Sequence, residues 1–442
     1  MKRIGARGKG SSPVVTPKYS QSVVLGAVEV RFPDGKSATV TPGRDRAYPH
    51  LRSQAPDTVP YYRFAATLLA GARRVLDFGC GSGLGTVALR GAMPEAEVTA
   101  FDTDPVAMQF AACAVPTARQ VAAPVPPSTF AAAFDGVVLV DVLGHSGFPL
   151  ALLRTVRDCM ELGGKVVVVE PRVHSSQVLT APACCAAAPN QLARALKAAG
   201  LSPVAWFDAT EAFVCCLAEA VQEPGVHELG AASDALGRGQ IDEAVKCYER
   251  ARHAECREVR SEALVGLAEV FVAHGDGDGA TQCLLEAAQD ATDARPPALL
   301  SRFLLGMGDY ASALELARRA VHIDPLDPSA AYAVAQASEA MGCEDADARW
   351  SVAWRLAPAD PSVASGYAVF CSERGQHDDA IRALERLRSY GGGIGVPFHL
   401  TLALVLDHAG RHEDARFEAK IAHKLAPDDE TVLEMCKRLE AA

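Results

Sequence analysis

Arg74 to Gly85 reads RVLDFGCGSGLG and Val98 to Pro105 reads VTAFDTDP, and these two stretches decide the fold. An apolar strand through Val75 and Leu76 runs into Asp77, and glycines then fall at Gly79, Gly81 and Gly83 before an apolar helical stretch begins. A second short strand ends at Asp102, nineteen residues beyond Gly83. A glycine-rich turn after the first strand of a parallel sheet lets a ligand lie against bare backbone. An acid about 20 residues further on can accept ribose hydroxyls. Together they predict a nucleoside site. The dinucleotide fingerprint G-x-G-x-x-G/A does not fit the turn: counted from Gly79 its last slot holds Leu84, and counted from Gly81 it holds Thr86. Only Gly83 to Ala88 satisfies it, and that run starts too late, inside the expected helix.

The acid-x-G-x-G-x-G form resembles motif I of class I S-adenosylmethionine-dependent methyltransferases. The resemblance spans roughly residues 61–218. Phe134 to His145 (FDGVVLVDVLGH) resembles that family's motif IV strand. Glu161 to Pro171 (ELGGKVVVVEP) resembles its helix end, Gly-Gly turn and buried strand. A helix over Gln191–Gly200 and short strands at Val204–Phe207 and Phe213–Leu217 complete the series. The unbroken apolar runs Val137–Val140 and Val166–Val169 suit parallel strands buried on both faces. The resemblance implies an α/β Rossmann-like domain with a mostly parallel sheet and S-adenosylmethionine as cofactor. It would be held by Asp77, Gly79, Gly81, Gly83 and Asp102. Asp57 to Leu69 resembles the helix that precedes the first strand in such enzymes. There Tyr61, Tyr62 and Arg63 either close over the cofactor carboxylate or pack as an ordinary helix with Arg63 solvated.

From about residue 225 the sequence repeats. Glycines recur at Gly239, Gly275, Gly308, Gly342, Gly375 and Gly410, at intervals of 36, 33, 34, 33 and 35. Ala244, Ala280, Ala313, Ala380 and Ala415 each follow their glycine by five residues, and Pro325, Pro358 and Pro427 close three units. The pattern resembles the tetratricopeptide repeat, whose period is about 34 residues. Gly-containing turns join two helices per unit, small residues let them approach, and stacking buries faces that one unit cannot cover alone. In the fourth unit the step from Gly342 to Ala346 is one residue shorter, and Asp428 to Ala442 reads as a capping helix. The expected organisation is therefore an N-terminal tail with a hairpin (1–43), a methyltransferase domain (44–220) and an all-α repeat solenoid (221–442). The hairpin would pair Val23–Val30 with Ala38–Thr41 around Pro33-Asp34-Gly35-Lys36.

With 442 residues the chain exceeds one ordinary core, and 49% hydrophobic with 22% charged residues describes a globular protein. The net charge of -11 argues against a general affinity for nucleic acid. No apolar run approaches the eighteen or so residues of a spanning helix. The basic start (Lys2, Arg3, Arg7, Lys9, Lys18) lacks the apolar core of a secretory signal and reads as a solvated tail or a contact arm. Thirteen cysteines show no C-x-x-C pair. The adjacent couples Cys184–Cys185 and Cys215–Cys216 suit neither a metal nor an easy disulfide, so buried free thiols, no metal and a cytoplasmic setting are expected.

Methyl transfer from a sulfonium is an in-line displacement in which placement of the acceptor dominates. Asp141 and His145, at the exit of the motif IV strand, are the candidate catalytic pair: a hydroxyl or ammonium acceptor needs a base, and His145 has a suitable ordinary pKa. In many relatives that histidine only packs near the cofactor. The third-strand region (Ala118 to Pro124) carries Ala122 and Ala123 where the family usually has an acid for the adenine amino group. No N-P-P-Y-type tetrapeptide and no glutamate pair follow the fourth strand, which disfavours base, amide and arginine methylation. Three functions stay open. The array recruits a protein, or a carrier-bound or polymeric acceptor, for an active methyltransferase. Alternatively the enzyme acts on a small molecule or glycan and the repeats assemble a complex, or the chain is a scaffold with an idle cofactor domain.

Overall fold

The computed structural model describes residues 58–441 apart from 104–107, 109–110, 113–114, 116–117, 123–130, 144–148, 172–188, 209–212, 290–291 and 390–394, together with residues 21–22, 28–31 and 37–40. His145, Ala123, Cys184–Cys185, the Pro33–Lys36 turn and the basic N-terminal residues lie outside the described residues.

Among the described residues the first half forms an eight-stranded sheet with helices on both faces. In chain order the strands are β1 (Gln21–Ser22), β2 (Val28–Arg31), β3 (Ser37–Val40), β4 (Arg74–Phe78), β5 (Glu97–Asp102), β6 (Arg119–Ala122), β7 (Phe134–Val140), β8 (Met160–Pro171), β9 (Leu201–Asp208) and β10 (Phe213–Ala220). The sheet order is β1-β9-β10-β8-β7-β4-β5-β6, while β2 and β3 pair separately as an antiparallel hairpin. Strands β4 to β8 pair in parallel, and β10 runs antiparallel to both its neighbours. Side chains alternate across a strand, so the Val-rich runs serve two cores. Val137, Leu139, Val166 and Val168 face helices α3 (Pro149–Cys159) and α4 (Pro189–Ala198). Val138, Val140, Val167 and Val169 face α1 (Val59–Leu68), whose neighbour α2 (Leu84–Ala92) adds Leu89 to the same cluster. Cys215 and Cys216 fall on opposite faces, as their adjacency requires. The described cysteines are free thiols.

One local expectation is revised. The helix end and turn expected from Glu161 are instead strand: α3 stops at Cys159 and β8 begins at Met160. Phe134 pairs with Met160, then Gly136 with Lys165, and Gly163 at φ 78° takes up the intervening residues as a bulge. Tyr61 and Tyr62 pack inward, as in the second of the two readings of that helix. Both are fully buried, Tyr61 with its ring 4.8 Å from that of Phe213.

The second half is a run of helix pairs: α5 (Val226–Gly237) with α6 (Ile241–Ala251), α7 (Arg257–Ala273) with α8 (Gly277–Ala287), and α9 (Arg295–Gly306) with α10 (Tyr310–Ile323). Then come α11 (Pro328–Ala340) with α12 (Ala346–Leu356), α13 (Pro361–Glu373) with α14 (His377–Ser389), and α15 (Val396–His408) with α16 (His412–Leu425), closed by α17 (Glu430–Ala441). The six evenly spaced glycines all turn left-handed, with φ between 64° and 82°. The alanines five residues after five of them are fully buried between helices. In the short fourth unit α12 starts at Ala346 itself, which is buried, and Trp350 fills the space over Gly366.

Candidate functional site

The site forms where β4 and β5 end. β4 lies at the centre of the sheet between β5 and β7, so its exit opens on the crevice beyond the carboxyl ends of parallel strands, where open α/β sheets take ligands. The chain leaves Phe78 through a turn laced to β5: Gly79 and Cys80 N–H groups donate to Phe101 O at 2.8 and 3.0 Å. Gly81 N–H donates to Asp102 Oδ2 at 2.8 Å. The two motifs read from the sequence are thus one structure, with Asp102 half-buried at its rim. Gly83 starts α2 at φ 86°, and a Cβ there would lie 2.9 Å from the Ala111 backbone, so no other residue suits it.

Asp77 sits beneath this turn, wholly buried. Thr86 Oγ1 donates to its Oδ2 at 2.6 Å, and Tyr62 also bonds the carboxylate. Its Oδ1 is buried with no hydrogen-bond partner among the described residues. Burial pushes the Asp77 carboxyl up to about 7; the Thr86 and Tyr62 bonds oppose the rise and the Asp102 charge adds to it. Cys80 is buried against Met108, Sγ to Sδ 3.6 Å, and burial raises its thiol far from the reactive range.

The exit of β7 closes the other wall. Asp141 takes a left-handed backbone, φ 56°, with its N–H donating to Val169 O at 2.8 Å. Val142 packs onto the turn so closely that a Cβ on Gly79 would meet its Cγ2 at 2.7 Å. The buried Glu170 holds this wall, its Oε1 accepting Val142 N–H at 2.9 Å and Leu143 N–H at 2.8 Å. Sequence reasoning passed over Glu170 and Thr86, and it gave Tyr62 a place over the cofactor or in plain helix packing, not a bond to Asp77. An acid ending an all-valine buried strand was the available signal for Glu170. Of the expected site residues, Asp77, Gly79, Gly81, Gly83, Asp102 and Asp141 come together here. Arg63 is exposed on α1. In register, Ala122 of β6 stands beside Asp102.

The donor set is made of carboxylates and backbone amides, and no group of His, Cys, Asp and Glu suited to a metal occurs among the described residues. A buried acid with an orphaned oxygen, a glycine turn and an acid tied to that turn fit a cationic aminoacyl nucleoside better than a phosphate. Comparison with known families identifies the domains. Residues 49–205 match the family model of a methyltransferase domain, and residues 229–296 and 372–430 match that of the tetratricopeptide repeat. The chain therefore carries a domain of the methyltransferase family followed by tetratricopeptide repeats. No curated protein matches it.

Among solved structures, the APC/C hetero-tetramer Cut9-Hcn1 is 18% identical at a TM-score of 0.42, covering 49% of this chain and 42% of that one. A thermophilic tetratricopeptide repeat protein of Thermus thermophilus is 20% identical at 0.35, covering 41% of this chain and 97% of that one. An O-methyltransferase family protein from Burkholderia thailandensis is 15% identical at 0.32, covering 38% and 58%. The chain thus spans about two fifths of the first of these and under two thirds of the third. No helix among the described residues is long and apolar enough to cross a membrane.

Proposed function

We propose that the chain is an S-adenosylmethionine-dependent methyltransferase whose repeats recruit a protein, or a carrier-bound or polymeric acceptor. The observation that carries the reading is the joining of Asp102 to the glycine turn through Gly81, above a buried Asp77 with an unused oxygen. Bound there, S-adenosylmethionine would supply an electrophilic methyl group on a sulfonium. Asp102 is assigned to the ribose hydroxyls and the Gly79–Gly83 backbone to the aminoacyl part. Asp77 is assigned to the cofactor's positive charge, and Arg63, next to the buried Tyr62, to its carboxylate. Asp141 lies at the wall where an acceptor would approach, and with His145 it is the candidate for removing the acceptor's proton. Glu170 positions that wall without touching substrate.

A catalytically idle scaffold is the second reading, favoured by Ala122 standing in register beside Asp102 where the related enzymes have an acid. Labelled cofactor added to cell extract with the purified chain separates the two. Label in a macromolecular acceptor, lost with Asp102→Ala, supports the proposal. Unlabelled macromolecules, with cofactor still bound, favour the scaffold; label in small molecules alone favours complex assembly by the repeats.

A further inference from the structure

We infer that the repeat array is docked in cis along one helix of the methyltransferase domain, by a ladder of polar contacts that leads the later repeats toward the catalytic crevice. Three side chains of α4, spaced one turn apart and so on one face of the helix, each meet the entrance of the first helix of a successive repeat. Lys197 Nζ lies 3.0 Å from Glu258 Oε1 in the first turn of α7. Arg194 pairs with Asp293 and donates to Thr292 O at 3.4 Å, just ahead of α9. Gln191 Nε2 donates to Leu326 O at 2.9 Å, just ahead of α11. Repeats two, three and four are thus met in order as α4 is followed backward from its C-terminus.

The middle rung is built like a core contact. Asp293 is fully buried, and besides Arg194 it accepts Ser261 Oγ at 2.6 Å and Arg295 N–H at 2.9 Å. Arg295 in turn pairs with Glu262 at 2.8 Å. A buried carboxylate with this many donors is costly to uncover, which sets it apart from solvated surface pairs. The neighbouring helix α3 adds one rung to the first repeat, Arg154 Nη1 donating to Leu229 O at 3.3 Å, and one to the segment that leads into it, Arg157 Nη2 donating to Val221 O at 3.0 Å.

Chain direction gives the ladder its meaning. A two-residue turn at Ala199–Gly200 joins the C-terminus of α4 to β9, whose first residue Leu201 lies at the edge of the sheet away from the crevice, since β9 is antiparallel to β10 and β10 to β8. Leu192, Leu196 and Ala199 pack on that sheet face, so α4 runs back along the strands and its N-terminal end lies nearest their carboxyl ends. Lys197 is therefore the rung farthest from the crevice and Gln191 the nearest. The array climbs from repeat two to repeat four toward the carboxyl ends of the strands, and repeats five and six follow in chain order. An acceptor held by those last repeats would be carried at a fixed offset from the site. The docking itself stands whether or not methyl transfer is the reaction.

The test uses the full chain, with calorimetric unfolding, solution X-ray scattering and hydrogen exchange across residues 189–198. Arg194→Glu combined with Lys197→Glu should split one unfolding transition into two, enlarge the radius of gyration and speed exchange of α4 by about tenfold or more. Adding Asp293→Arg and Glu258→Lys should restore compactness, which a misfolded variant would not do. Because Asp293 also caps its own loop, the outer swap Lys197→Glu with Glu258→Lys is made separately. A double variant with unchanged scattering and unchanged exchange would overturn the docking, as would a swap that fails to rescue while both halves retain native circular dichroism.

Discussion

Asp77 is a carboxylate held in an environment far from water. Its folded pKa, about 7, lies above the ordinary carboxylate value because burial outweighs the bonds from Thr86 and Tyr62. A raised folded pKa means that the folded state holds a proton the unfolded state has lost. The group's stabilising contribution is complete below about pH 4 and is lost as pH rises through about 7. Asp77→Asn should flatten that part of the pH–stability profile, read by thermal unfolding between pH 4 and 8. A cation beside Oδ1 would favour the carboxylate, so cofactor binding near pH 7 should release protons, visible as buffer-dependent heats. Glu170 makes a second prediction. Glu170→Ala leaves Val142 and Leu143 N–H groups without their acceptor, and bonds to a charged group contribute about 1.5–3 kcal/mol each. The melting temperature should fall by several degrees, and a variant as stable as the parent would refute its role in bracing the wall. Asp77, the glycines and Asp102 were legible in the sequence because fixed spacing announces them. The roles of Thr86, Tyr62 and Glu170 were not, since they come from contacts across the fold.

Among the elements, continuous valine runs announced buried strands correctly, because a strand covered on both faces has no polar side to show. The start of β8 was misread for a related reason. Leu162-Gly163-Gly164 has the local chemistry of a turn, and only pairing of Met160 with Phe134 makes it strand. The α4 ladder was equally hidden, since arginine and lysine on an amphipathic helix read as a solvated face. Its acid sensitivity follows from Glu262. Burial pushes that carboxyl up, but the Arg295 charge and hydrogen bond outweigh it, with help from Arg154 and Arg194, and its pKa lies below the ordinary value. A depressed pKa contributes stability that is present above the unfolded value and lost as pH falls through the folded one. Nearby Glu269 is raised by burial and by Glu262, and so gains its proton first as pH falls. Docking should therefore hold at neutral pH and loosen below about pH 4, followed by scattering at constant ionic strength. Unchanged dimensions in acid strong enough to protonate every carboxylate would show that Glu262 contributes nothing to it.

At the scale of the whole molecule, repeat periodicity predicted the solenoid because each unit reuses the same glycine turn and the same small residues. Ala380→Arg puts a long cation where there is no space, in the core shared by the last repeats. It should lower helical content in the array while leaving cofactor affinity within about twofold, because the residues assigned to the cofactor all lie in the sheet domain. A matching loss of cofactor binding would mean that the array shapes the crevice directly. The central claim is that the joined Asp102–Gly81 turn is a site for S-adenosylmethionine, and calorimetric titration of the full chain with that cofactor tests it most directly. The account predicts saturable one-site binding, weakened at least tenfold in Asp102→Ala, since losing even one charge-assisted bond costs about 1.5 kcal/mol or more. Absence of binding by the folded wild-type chain, or equal affinity in the two proteins, would contradict it.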